Sequence, residues 1–151
     1  MKGEIAYLDS SALVKRYVKE LGSNAVREAF LKAYSGDLAL SFNVWNVGEV
    51  LGAFDKAKRT KRIDGEAYNI VRGRFLLETR RMMRLGFLTL VPLKFKILKD
   101  SWGLIEKFHI YAADAVQVAS AKYVSASCFM TGDEQLYKVA LKEGLNSIHL
   151  G

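Results

Sequence analysis

The sequence predicts an α/β domain arranged around a parallel sheet. Two observations carry this reading. Short apolar runs recur along the chain, and stretches with helical periodicity separate them, which is the pattern of repeated βαβ units. No low-complexity linker or internal repeat interrupts the pattern, and 151 residues suit one domain spanning 1–151.

Residues 4–8 form the first short strand (Ile5, Ala6, Tyr7, Leu8), ending at Asp9, and Ser10 and Ser11 are placed to cap a helix beginning near Ala12. Residues 23–34 read as an amphipathic helix with Ala25, Ala29, Phe30 and Ala33 on one side. A second strand follows at 38–41, a helix ending in a basic run at 43–62, and a long arginine-decorated helix at 65–85. A third strand at 87–92 ends on the only proline, Pro92, and 95–108 is helical. The small-residue helix 112–123 suits close packing on a sheet. A fourth strand, 127–130, leads into Thr131-Gly132-Asp133. The helix 133–143 is closed by Gly144, and 147–150 is a final strand. Ligands of such sheets bind beyond the carboxyl ends of the strands. Asp9 follows the first strand and Asp133 the fourth, so both are expected on one rim.

Half the residues are hydrophobic and 26% are charged, which excludes a disordered chain. The net charge of +7 and pI near 9.5 favour polyanionic partners, nucleic acid first among them. One cysteine, Cys128, excludes an internal disulfide. With only His109 and His149 beside it, it also disfavours a structural zinc site. Cys128 lies in an apolar run, where thiols are inert. No signal-peptide pattern and no membrane-length apolar segment is present, so a cytoplasmic protein with no membrane association is expected.

Four of the 16 acidic residues stand in apolar surroundings. Asp9 ends a strand, and Asp133 follows Phe129-Met130-Thr131-Gly132. On a helix, Glu49 has Trp45, Gly52 and Ala53 as its i−4, i+3 and i+4 neighbours, and none is basic. Asp114 shares its face with Val118 and Ala121. An unpaired carboxylate near an apolar interior is costly to ionise, so either distant basic residues or a cation must neutralise these groups. Asp9, Asp114 and Asp133 also suit helix capping. Glu49, mid-helix on the apolar side, has no such role. Hard oxygen ligands select Mg²⁺ or Mn²⁺ over zinc.

These residues resemble the PIN-domain nucleases, most closely the VapC-type toxins and their archaeal relatives. The matching pieces are Tyr7-Leu8-Asp9-Ser10-Ser11-Ala12-Leu13-Val14-Lys15, Asn46-Val47-Gly48-Glu49-Val50, Ala112-Ala113-Asp114-Ala115-Val116-Gln117-Val118-Ala119-Ser120-Ala121 and Met130-Thr131-Gly132-Asp133. They occur in the family's order across nearly the whole chain. The resemblance implies a three-layer α/β/α sandwich and a Mg²⁺- or Mn²⁺-dependent endoribonuclease. Asp9, Glu49, Asp114 and Asp133 would be its metal-binding and catalytic acids, with Ser11 and Thr131 as auxiliary hydroxyls. It also implies a homodimer inhibited by a small antitoxin protein.

RNA would be held by cations near the acids: Lys15, Arg16, Lys58, Arg59 and Arg62, from longer basic runs that include Lys56 and Lys61 and the arginines at 72, 74, 80, 81 and 84. The same cations also suit solvated helix faces. Two other uses of the fold remain: a free-standing PIN nuclease in RNA processing, and a non-catalytic RNA- or protein-binding scaffold. The intact acids count against the scaffold. An aspartyl phosphotransferase is disfavoured because Ser11 stands where a second aspartate would be needed.

Overall fold

The computed structural model describes residues 3–151. The chain alternates as expected: β1 (Ile5–Leu8), α1 (Ser10–Tyr17), α2 (Ser23–Tyr34), β2 (Ala39–Asn43), α3 (Trp45–Arg59), α4 (Gly65–Leu85), β3 (Leu88–Val91), α5 (Phe95–Phe108), α6 (Ala112–Tyr123), β4 (Cys128–Thr131), α7 (Glu134–Lys142) and β5 (Ser147–His149).

All five strands are parallel and lie in the order β3-β2-β1-β4-β5. The chain steps outward from β1 to β2 and β3, then crosses back to β4 beside β1. Right-handed crossovers therefore put α1–α4 on one face of the sheet and α5–α7 on the other, a three-layer α/β/α sandwich. The order reverses between β1 and β4, which pair with Leu8 opposite Met130. Asp9 and Asp133 thus follow neighbouring strands at the switch point, the crevice where such sheets place their ligands.

Burial explains the elements. β1 and β2 are covered on both sides, and Tyr7, Leu8, Leu40 and Phe42 are wholly buried. On α2 the inward face is Val26, Ala29, Phe30 and Ala33; Val26 takes the place expected for Ala25, which is exposed. An edge-to-face trio of Tyr17, Phe54 and Phe75 joins α1, α3 and α4. Asp64 caps the start of α4, and left-handed Gly86 (φ 87°) ends it. His109 closes α5 in a left-handed conformation (φ 57°), and His149 packs its ring against Tyr137. Cys128 is half-buried, and burial, reinforced by the charge of Glu4, raises its thiol above the ordinary range. No described helix is long and apolar enough to cross a membrane.

Candidate active site

The first acid holds the junction it occupies. Asp9 is 4% exposed, and its Oδ1 accepts from the Ala12 N–H at 2.9 Å and from the Ser11 hydroxyl at 2.6 Å. Asp9 itself, rather than Ser10 or Ser11, therefore caps α1, which begins two residues earlier than expected. Its Oδ2 accepts from the Thr131 hydroxyl at 2.5 Å, and Ser11 Oγ in turn accepts from the Gly132 N–H at 2.8 Å. Ser11 and Thr131, the two expected auxiliary hydroxyls, thus stitch the end of β1 to the end of β4. Asp133 caps α7 through the Leu136 N–H at 3.0 Å and is exposed. The cap and the acid are one residue in both cases. Asp114 lies in the first turn of α6, but Tyr111 occupies the cap position.

These carboxylates feel one another. Burial pushes the Asp9 carboxyl up to about 6, against hydrogen bonds from Ser11, Thr131 and the Ala12 N–H that favour the ionised form; the charge of Asp114 adds to the rise. Burial likewise raises Asp114, with the charges of Asp133 and Glu49 adding to it. The four acids from four segments are thus electrostatically coupled through Asp114. None of them forms an ion pair among the described residues.

Beneath them lies a polar network that the sequence did not signal. Asn46 on α3 and Gln117 on α6 exchange two amide hydrogen bonds, at 2.8 and 2.7 Å. Asn46 also donates to the Leu8 carbonyl at 3.2 Å, and the Tyr7 hydroxyl donates to Gln117 at 2.9 Å. Asn46 is three residues before Glu49, and Gln117 is three after Asp114. One helical turn from each acid, the pair therefore bridges the two helix layers over the end of β1. Asn43 extends the network to Ser120 at 2.9 Å and to the Trp45 N–H at 2.8 Å. Ser10, also unforeseen as a site residue, donates to Glu49 at 2.6 Å.

The PIN domain family profile matches residues 6–142. The chain belongs to the PIN domain family. No curated protein matches it. Among solved structures, FitAcB from Neisseria gonorrhoeae is 17% identical with a TM-score of 0.67, covering 95% of this chain and 96% of that one. PAE2754 from Pyrobaculum aerophilum is 16% identical with a TM-score of 0.62, covering 96% and 90%. VapC20 of Mycobacterium tuberculosis, a toxin that cleaves the sarcin-ricin loop, is 11% identical with a TM-score of 0.64, covering 95% and 98%. At these identities the likeness is one of fold.

For a divalent cation, this PIN domain offers carboxylate oxygens that form no ion pair among the described residues, which is the right donor chemistry for a hard ion. The side chains do not stand as a closed cage: among the described residues no three His, Cys, Asp or Glu side chains form a metal-holding group. Glu49 is drawn to Ser10, and both oxygens of Asp9 are engaged by hydrogen bonds.

The expected RNA-binding cations separate into two sets. Arg16 forks onto Glu78 at 3.0 and 2.9 Å and lies over the Phe30 ring, so it ties α1 to α4. Lys58 stacks on Tyr68, and Arg59 pairs with Asp55. Lys15 and Arg62 instead line one cavity with Ser11 and Gly132, beside Asp9 and Asp133.

Proposed function

We propose that this PIN domain is a Mg²⁺- or Mn²⁺-dependent endoribonuclease, the toxin of a VapBC-type pair, acting as a homodimer restrained by a small antitoxin. The observation that carries the reading is the coupling of Asp9, Glu49, Asp114 and Asp133 at the sheet's switch point with no ion pair to any of them among the described residues. Those four residues would hold the ion. When bound, the metal lowers the pKa of water and stabilises charge developing on the phosphoryl group. The chain's own part is to fix the ligands. Thr131 and Ser11 orient the Asp9 carboxylate, Ser10 restrains Glu49, and the Asn46–Gln117 pair sets the spacing of α3 and α6. The net charge of +7 suits a polyanionic substrate. The toxin role is supported by the family and by the toxin VapC20 among its structural neighbours. Purified protein is expected to cut RNA with Mn²⁺ or Mg²⁺ and to stop with EDTA. Cleavage unaffected by EDTA would overturn the metal-dependent reading. Growth arrest on expression, relieved by the product of an adjacent short reading frame, tests the toxin role.

A further inference from the structure

We propose that the cavity beside the acids is a subsite for a backbone phosphate of the RNA strand, flanking the bond that is cut; this rests on the ribonuclease reading for its substrate class. The cavity holds about 270 Å³, and its polar lining comes from Ser11, Lys15, Glu20, Lys56, Arg62 and Gly132. Three cations from three segments meet there with one acid. Lys15 is only 8% exposed, and its side chain runs along Gly132 so closely that a Cβ there would stand 2.9 Å from Lys15 Cε. The missing side chain at Gly132 thus gives a buried ammonium room beside the Thr131–Asp133 loop. Lys56 lies seven residues beyond Glu49 on α3, on the same face and about 10 Å further along the axis. Arg62 reaches the cavity because Lys61 turns left-handed (φ 61°) and the chain folds back, with the Arg62 N–H bonding Ala57 O at 2.8 Å.

Glu20 bridges two of the cations, 3.3 Å from Lys15 Nζ and 3.6 Å from Arg62 Nη2. It keeps the ammonium and guanidinium facing the cavity and stands in for the anion that they would take. Three positive charges against one leave the cavity attractive to a phosphate, whereas the adjacent acids repel one unless a cation intervenes. The subsite therefore pulls the strand across the acids from one side. It takes a neighbouring phosphate rather than the scissile one, because Lys56 is nearly two helical turns from Glu49.

The test is the affinity of a short unstructured fluorescein-labelled RNA in EDTA across a salt series, so that binding is read without turnover. The Lys56→Ala/Arg62→Ala protein changes two exposed side chains and is expected to fold. Its affinity should fall about tenfold, and the slope of log K against log salt should flatten by about 0.7, the value for one single-strand phosphate contact. Arg27→Ala/Lys32→Ala on α2 removes the same charge away from the cavity and should flatten the slope by less than half as much. Glu20→Gln removes the competing carboxylate and should tighten binding about threefold. Equal losses in the two double variants, or weaker binding by Glu20→Gln, overturn the subsite. If wild-type protein cuts RNA with Mn²⁺ while the double variants lose affinity equally, the subsite fails and the nuclease stands. If the Lys56/Arg62 effect appears without any Mn²⁺- or Mg²⁺-dependent cleavage, the nuclease reading fails and the subsite stands. No RNA binding by the wild type overturns the subsite, and no Mn²⁺- or Mg²⁺-dependent cleavage overturns the nuclease reading.

Discussion

Glu78 on α4 accepts four hydrogen bonds, two from the Arg16 guanidinium and one each from the Tyr17 and Tyr34 hydroxyls, whereas Asp114 on α6 accepts none among the described residues. Both carboxylates are partly buried, and burial alone would raise either. Around Glu78, the donors of Arg16, Tyr17 and Tyr34 outweigh burial and hold the carboxyl below its ordinary value. Around Asp114 nothing opposes burial, and neighbouring acids add to it. The chain can neutralise an acid when the acid serves the fold. Leaving Asp114 and its companions without such donors costs stability, and the proposed metal-binding role would account for that cost.

The sharpest way to break this comparison is to neutralise one acid of each kind. Asp114→Asn should reduce metal-dependent cleavage by about two orders of magnitude or more, because removing a ligand exceeds the 10- to 100-fold typical of the groups that support one. Its stability to denaturant should hold or rise, since repulsion is removed. Glu78→Gln should do the reverse and lose about 2 kcal/mol, between the values for exposed and buried pairs, with cleavage per folded molecule unchanged. An Asp114→Asn protein as destabilised as Glu78→Gln, and still active, would make Asp114 a structural acid.

Acidity separates the two settings with opposite sign. The folded value of Asp9, about 6, exceeds its ordinary 3.8, so the native state binds that proton more tightly than the unfolded chain. From about pH 4 to about pH 6 this group makes stability fall as pH rises, and above that it costs on the order of 3 kcal/mol. Glu78 is lowered, so its contribution is present above the ordinary carboxylate range and lost as pH falls through its folded value. Asp9→Asn should abolish the fall in stability between about pH 4 and 6, and Glu78→Gln should abolish the acid-side loss. Mg²⁺ or Mn²⁺ should raise the melting temperature by several degrees at about pH 7.5 and by far less at about pH 5, where Asp9 is protonated. Equal shifts at both pH values would remove Asp9 from the metal site.

The same contrast shows what could be read from the sequence. Helices α2, α4, α5 and α6 were legible to their ends because their apolar periodicity is local. Strand ends slipped by a residue or two, as at β2, which runs on to Asn43 because the Tyr7 hydroxyl and the Trp45 N–H hold that residue in place. Glu49 and Asp114 stand out in the sequence because neither has a local cation, and Asp9 and Asp133 because each follows an apolar strand. The hold of Glu78 on Arg16 was silent because that partner lies 62 residues away. Asn46 and Gln117 were silent because an amide on a helix looks like a surface residue until the other helix is placed against it. Their substitution is the next test. Asn46→Ala or Gln117→Ala leaves a buried amide unpaired, at about 1–3 kcal/mol. Each should also raise the metal concentration for half-maximal cleavage by about tenfold. Lost stability with an unchanged metal curve would reduce the pair to packing.

The smallest expected effect belongs to a third kind of acid. Asp55 pairs with Arg59 at 2.9 Å, one turn apart on α3, with side chains 53% and 66% exposed. Solvent screens such a pair, and ordering two mobile side chains offsets the attraction. The molecule also carries a net charge of +7, so deleting Arg59 removes one of the charges that repel one another across its surface. The two terms oppose, and Arg59→Ala should leave stability to denaturant within about 0.5 kcal/mol. A loss above about 1 kcal/mol would mean that an exposed pair here approaches the strength of the Glu78 cluster. Protein counter-charges alone would then stabilise an acid in this chain without burial or multiple donors, and a missing partner would no longer distinguish Asp114 from the acids of the fold.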